Sequence, residues 1–238
     1  MDYNSHKDML DALKESQNVE HDNRERAREA HLFVTARDGQ WEPFWWNANQ
    51  GKPRYTFDLT SQIVDQIAGE LEQADFDIRV KPGNGKASEE TAKIYDGLIR
   101  NIETISNAKN VFNEAGRNMV TAGFDCWRVV QRYVEDDSFD QDLMIEPIRN
   151  AIDRVWFDQA SEERDKSDAR FGWVLQSMSP ADYEERWPDR LAESVSTDQT
   201  GSAYYYQPDV VIVGEFYYVK HEDRDLVLMS NGAVPKRS

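Results

Sequence analysis

DKSDARFGWVLQSMS, Asp165 to Ser179, changes character partway along. Five of its first six residues are polar or charged, and an apolar-rich run begins at Phe171. RFGWVLQSMS (170–179) has the aromatic and branched apolar density of a strand, and DRVWFD (153–158) upstream reads as a shorter one. The charged half between them is therefore either a turn joining two strands or a reaction centre. Asp165, Lys166, Asp168 and Arg170 are its candidate site residues.

Outward from this stretch the second half of the chain continues in short strands. FDCWRVVQRYV (124–134) and LMIEPI (143–148) flank EDDSFDQD (135–142), an acidic turn. Ser179 and Pro180 open a short helix, PADYEERW, with Ser at the N-cap and Pro at the first helical position. AESVSTDQTGSA (192–203) reads as a flexible loop. Residues 209–234 read as two strands around a charged turn.

The first half has helical periodicity. Residues 5–36 form a helix with few apolar anchors, Leu10, Leu13, Leu32 and Phe33. Its NRERAREA run balances like charges four apart with opposite charges three apart, as a solvated face does. From Asp58 a second helix puts Ile63, Ile67 and Leu71 on one face. FDIRVKP (76–82) alternates as a strand and ends in a Pro82–Gly85 turn. Ser88 caps a third helix, whose Ile94, Leu98, Ile102 and Ile105 face a core. Val111, Phe112, Ala115, Met119 and Val120 carry a fourth, which ends at Gly123. The expected fold is α+β: a helix-rich N-terminal half, residues 1–122, then a small, mostly antiparallel β-sheet region, residues 123–238.

Between the first two helices lies GQWEPFWWNANQGKPRY (39–55), a loop punctuated by Gly and Pro. Trp41, Phe44, Trp45 and Trp46 crowd into six positions of it. Such a cluster stacks bases or holds a ligand, or fills a core or a subunit contact, where aromatic rings bury large areas.

Bulk composition narrows the function classes. The 238 residues carry a net charge of −17, the reverse of the basic footprint of a nucleic-acid binder. Adhesion to anionic membrane is disfavoured on the same ground. The one cysteine, Cys126, allows no internal disulfide and reads as a core thiol. No run reaches the roughly 20 apolar residues of a membrane span, and MDYNSHKDML lacks the apolar core of a signal peptide. These features suit a soluble protein made in cytoplasm.

Catalytic and metal motifs are absent from the expected spacings. The four histidines form no HxxxH or HExxH pair, EDDSFDQD lacks the glycine and terminal glutamate of a calcium loop, and GNGK lacks a following Ser or Thr. No cofactor is expected, and the chain is read as not an enzyme. A carboxylate-dependent hydrolase using Asp136 and Asp137 is the weakest of the alternatives.

DKSDARFGWVLQSMS resembles a segment of the portal proteins of short-tailed bacteriophages that package DNA by filling the head. ARDGQWEPFWW (36–46), RYTFDLTSQIVDQIAGELEQADFDIRVKP (54–82), TAGFDCWRVV (121–130), IEPIRNAIDRVWFD (145–158) and VGEFYYV (213–219) resemble further segments in the same order. The resemblance spans about residues 20–220 and implies the N-terminal, wing-forming portion of a portal subunit, without the family's stem, clip, crown and barrel. It implies a ring homo-oligomer, a dodecamer at full length, at one vertex of the virion capsid after assembly in the host cytoplasm. Its implied partners are coat and scaffold protein, terminase, a tail adaptor, and double-stranded DNA passing through without tight binding. On this reading Asp165, Lys166, Asp168 and Arg170 pair within their turn or across to a neighbouring subunit. The alternative is a non-enzymatic adaptor binding a protein through the Trp-rich loop.

Overall fold

The structure is a computed structural model of the chain, described here over residues 5–35, 40–53, 55–74, 78–83, 88–135, 137–190 and 210–220. It is an α+β fold, helix-rich first and β-rich after. Helices α1 (His6–Thr35), α2 (Pro43–Ala48), α3 (Thr60–Gln73), α4 (Glu89–Ile105) and α5 (Ala108–Ala122) precede strands β1 (Trp127–Tyr133) and β2 (Gln141–Pro147). Then come α6 (Ala151–Arg154), β3 (Val155–Phe157), β4 (Phe171–Met178), α7 (Pro180–Arg186) and β5 (Val211–Tyr218). The strands form a two-stranded sheet, β1-β2, and a three-stranded sheet in the order β3-β4-β5. The chain divides into two compact units, Met1–Val19 with Trp156–Ser238, and Glu20–Val155.

The first unit is built on β4. Its alternate residues Phe171, Trp173 and Leu175 are buried, the period-two pattern of a strand with one face on a core. Trp156 of β3 and Leu13 of α1 complete the cluster, with Met9, Ala12, Ile212 and Phe216 packed around it. β5 runs antiparallel to β4, pairing Phe171 with Tyr218 and Met178 with Val211. Its Gly214 lies under the Trp173 ring; a Cβ there would stand 2.6 Å from the ring carbon Cζ3. The Phe216 ring sits 4.7 Å from that of Trp173, centroid to centroid. Trp173 Nε1 is buried without a hydrogen-bond acceptor among the described residues.

The second unit packs α5 against both α3 and α4. Its core is Ala108, Val111 and Ile145, joined by Ile102 and Phe112. β1 and β2 form an antiparallel hairpin in which Trp127 faces Pro147 and Tyr133 faces Gln141. The Ile145 N–H donates to Ser106 Oγ at 2.9 Å, so the residue after α4 satisfies an outer edge donor of β2. Ser88 caps α4 by accepting from the Thr91 N–H at 3.1 Å. Gly123 ends α5 in the left-handed conformation (φ 79°), its N–H bonded to Met119 O at 2.8 Å.

Four expectations change. The stretch 39–55, read as a loop, contains the short helix α2, which Pro43 opens at its first turn. Within 76–82, residues 78–82 lie in no ladder, because the Val80 N–H that a strand would pair goes to Asp96 Oδ1 at 3.2 Å. The α4 stripe is not a core stripe: Ile102 packs inward, but Ile94, Leu98 and Ile105 are exposed. The NRERAREA face is not wholly solvated, since Arg24 is only 5% exposed. The 84–85 turn residues, the 192–203 loop and the final 221–234 segment lie outside the described residues.

Candidate functional site

The turn between β3 and β4 is organised by a buried carboxylate. Asp158 directly follows β3 and is 2% exposed. Its Oδ2 accepts from Arg170 Nε at 2.5 Å and from the Arg170 backbone N–H at 3.3 Å. Its Oδ1 accepts from Arg170 Nη2 at 3.0 Å and from the Ala160 N–H at 3.0 Å. This two-pronged match of guanidinium to carboxylate ties the two ends of the turn together. The Arg170 hydrogen bond, ahead of burial acting the other way, holds the Asp158 carboxyl below its ordinary range.

The remaining charged residues of the turn act on its backbone. Asp168 accepts from Ser161 Oγ at 2.6 Å and from the Glu162 and Glu163 N–H groups at 2.7 and 3.3 Å. Asp165 accepts from the Ser167 N–H at 3.1 Å, an Asx turn. Lys166 adopts the left-handed conformation (φ 58°) and donates from Nζ to Ser161 O at 3.3 Å. Hydrogen bonds from Ser161 and Ser167 lower the pKa values of Asp168 and Asp165 respectively. All three shifted carboxyls move away from neutrality, opposite to the shift of a general acid poised near pH 7.

The aromatic cluster is spread around α2. Phe44 is 72% exposed and Trp45 is exposed beside it, their rings edge to face at 5.9 Å. Trp41 and Trp46 are partly buried, and Trp41 Nε1 donates to Thr56 Oγ1 at 2.9 Å. None of the four is buried in the chain's own core, and α2 has no buried residue.

Sequence periodicity missed a polar cluster in the second unit. Arg24 donates from Nη1 to Ile152 O at 3.1 Å and from Nη2 to Val155 O at 3.0 Å. Its Nε reaches Glu20 Oε2 at 2.6 Å, and its guanidinium lies 4.2 Å from the Phe124 ring centroid. Arg28 Nε donates to the buried Asp153 at 2.5 Å, and Asn150 Nδ2 donates to the same carboxylate at 3.0 Å. The available signal was spacing. Leu13, Ser16, Arg24 and Ala27 are the buried residues of α1 and fall on one helical face, but two of the four are polar.

Cys126 stands just before β1, half-buried. Burial, and after it the neighbouring Asp125 charge, push its thiol up to about 12. Asp125 is itself raised by desolvation, while it accepts from Asn118 Nδ2 and the Cys126 N–H, both at 2.8 Å. Among the described residues no three His, Cys, Asp or Glu side chains converge as metal ligands do, and no helix is long and apolar enough to cross a membrane.

Phe44 and Trp45 leave large apolar rings exposed, and the charged side chains of the β3–β4 turn bond within it. A family model described as phage P22-like portal protein matches residues 10–238. The chain belongs to that family. It is also 29% identical over 218 residues to the portal protein of Acyrthosiphon pisum secondary endosymbiont phage 1, an alignment covering 87% of this chain and 30% of that relative. The chain thus spans less than a third of the length of that curated relative.

Proposed function

We propose that the chain is a structural, non-enzymatic subunit of a bacteriophage portal, its residues forming wing material of a ring through which viral DNA enters and leaves the capsid. The observation that carries this reading is the family match across residues 10–238. The surface supports it. Among the described residues 25 large apolar side chains are exposed, against 14 apolar residues that are buried. Neighbouring subunits of a larger assembly would cover such side chains. The net charge of −17 also suits a conduit, because every neutralised phosphate adds affinity that would slow a passing duplex.

On this reading the ring is a homo-oligomer, a dodecamer at full length, assembled in the host cytoplasm and residing at one vertex of the virion. Coat and scaffold protein, terminase and a tail adaptor are its protein partners. Trp41, Phe44, Trp45 and Trp46, and the turn carrying Asp165, Lys166, Asp168 and Arg170, are contact candidates within it.

Native mass spectrometry and electron microscopy of the purified chain test the proposal. Multimers with cyclic symmetry are expected, with duplex DNA bound weakly. A chain that stays monomeric at every concentration, or that binds duplex tightly and salt-sensitively, overturns it. The exposure of Phe44 and Trp45 favours one second reading, an adaptor that captures a protein partner through α2. That module remains small in the same experiment and loses its partner on Trp45→Ala.

A further inference from the structure

The β1–β2 hairpin leaves one strand edge open. Its ladder bonds fall on the even-numbered residues of β1. The Ile148 N–H donates to Cys126 O at 3.1 Å and the Val134 N–H to Asp140 O at 3.0 Å, on the register of the pairs between them. Along an antiparallel strand these groups point alternately to one side and the other. The N–H and C=O groups of Val129, Gln131 and Tyr133 therefore point away from β2. Among the described residues nothing bonds them, and all three residues are exposed. The outer edge of β2 is engaged instead, its Ile145 N–H taken by Ser106 Oγ.

Folded chains guard such an edge with proline, a bulge or outward charge. WRVVQRY contains no proline, and its seven pairs with β2 run without a bulge. Its two arginines lean across the hairpin to Glu146, Arg132 Nε at 2.8 Å and Arg128 Nη2 at 3.8 Å, rather than out over the edge.

The side chains beside the edge are apolar, and they end in acid. Trp127, Val129 and Tyr133 share one face of β1 and are exposed, and exposed Leu143 stands opposite Gln131 on that face. Just past Tyr133 the turn EDDSFDQD (135–142) holds five acids and no base.

Backbone groups open at two-residue steps are satisfied together by another extended backbone, which adds a strand to the sheet. The apolar face calls for apolar residues at alternate positions of that strand. The acidic turn calls for Lys or Arg where the strand passes it. A second copy offers its own β1 edge, but antiparallel pairing about Gln131 sets Asp137 of each copy level with Asp125 of the other, in a chain already at −17.

We propose that the outer edge of β1 is a docking site for an extended segment of a different polypeptide, one with apolar residues at alternate positions and Lys or Arg at the end beside residues 135–142. This goes beyond the ring reading and does not depend on which contact closes the ring.

The test follows residue-resolved amide hydrogen exchange in the full chain, with the synthetic peptide KKVTVTVKK as probe and EEVTVTVEE as its charge control. Without peptide, the Val129, Gln131 and Tyr133 amides are expected to exchange about tenfold faster than those of Arg128, Val130 and Arg132, in monomer and multimer alike. The lysine peptide is expected to slow these three and to bind about tenfold more tightly than the glutamate peptide, a gap that shrinks as salt rises. Gln131→Pro removes one outward N–H and no ladder bond, so it is expected to keep the wild-type melt and to bind the lysine peptide about tenfold more weakly. Gln131→Ala is expected to bind it unchanged. If Gln131→Pro melts early, Val129→Pro replaces it, and if both do, exchange in the wild type decides alone. Four results overturn the proposal: the three amides already slow in the peptide-free monomer, no slowing of them by the lysine peptide, equal binding of the two peptides, or wild-type affinity in a folded proline variant. Slow exchange confined to the multimer also overturns it, assigning the edge to a second copy and leaving the ring reading standing.

Discussion

Arg170 grips Asp158 with two guanidinium nitrogens, at 2.5 and 3.0 Å, and adds its own backbone N–H. The carboxylate is buried and the guanidinium is half exposed, so Asp158 depends on Arg170 more than Arg170 depends on Asp158. The pair closes the loop that separates β3 from β4.

Replacing Asp158 by Asn removes the charge that both guanidinium bonds use. Charged hydrogen bonds of this kind contribute about 1.5–3 kcal/mol each, reduced here by solvent around Arg170. A urea denaturation series should show a loss of roughly 1–3 kcal/mol with an unchanged slope. An unchanged midpoint would mean that the loop closes without this pair.

The same pair makes stability pH-dependent. The folded Asp158 pKa lies below its unfolded value, chiefly through Arg170, and Glu146 is lowered chiefly by its hydrogen bond to Arg132. Both contributions are complete above the unfolded carboxyl range of about 4 and are lost as pH falls through the folded values, where the unfolded chain binds more protons. Melting temperature should fall on acidification below about pH 4, and less steeply in Asp158→Asn than in the wild type.

Arg24→Ala strands two buried main-chain carbonyls, those of Ile152 and Val155, and leaves Glu20 unpaired by it. The expected cost is about 3–5 kcal/mol, as for a broken buried charge pair. Arg24→Lys should recover little of it, because an ammonium cannot reproduce the planar fork. Thermal melts of the three chains give the comparison; full recovery by Lys would count against the fork.

Gly214→Ala and Gly69→Ala should move stability in opposite directions. A Cβ at Gly214 meets the Trp173 ring at 2.6 and 2.9 Å, and such overpacking costs about 1–3 kcal/mol. At Gly69, inside α3, nothing lies within 4 Å, and the better helix former should add about 0.5–1 kcal/mol. A neutral Gly214→Ala would show that Trp173 can move aside.

Cys126 should resist thiol reagents in the native state. With its pKa pushed up to about 12, almost no thiolate exists at pH 8. Labelling by a disulfide reagent should therefore be slow until denaturant unfolds the chain. Rapid native labelling would contradict the burial of this thiol.

Much of the local structure was legible from the residues. The alternation of Phe171, Trp173 and Leu175 marked β4, Ser88 marked the start of α4, and Gly123 marked the end of α5. The charged turn was recognisable by its position between strands, but Asp158, the carboxylate that holds it, looked like the end of a strand. Its partner Arg170 is twelve residues away, and no local rule links the two.

Periodicity and capping act over three to five residues, so the sequence by itself determined α1, α3, α4, α5 and α7, most of the strands and where several of these elements stop, but not the short helices α2 and α6. It also determined that α3 and α4 each carry an apolar stripe. Only the tertiary structure decided which stripes were covered: Ile102 found a core and Ile94, Leu98 and Ile105 did not. It decided too that Arg24, written among solvated charges, turns inward to two carbonyls about 130 residues away. A hydrophobic pattern says that a face avoids water, but what covers it depends on groups brought together from distant parts of the chain, or from another chain.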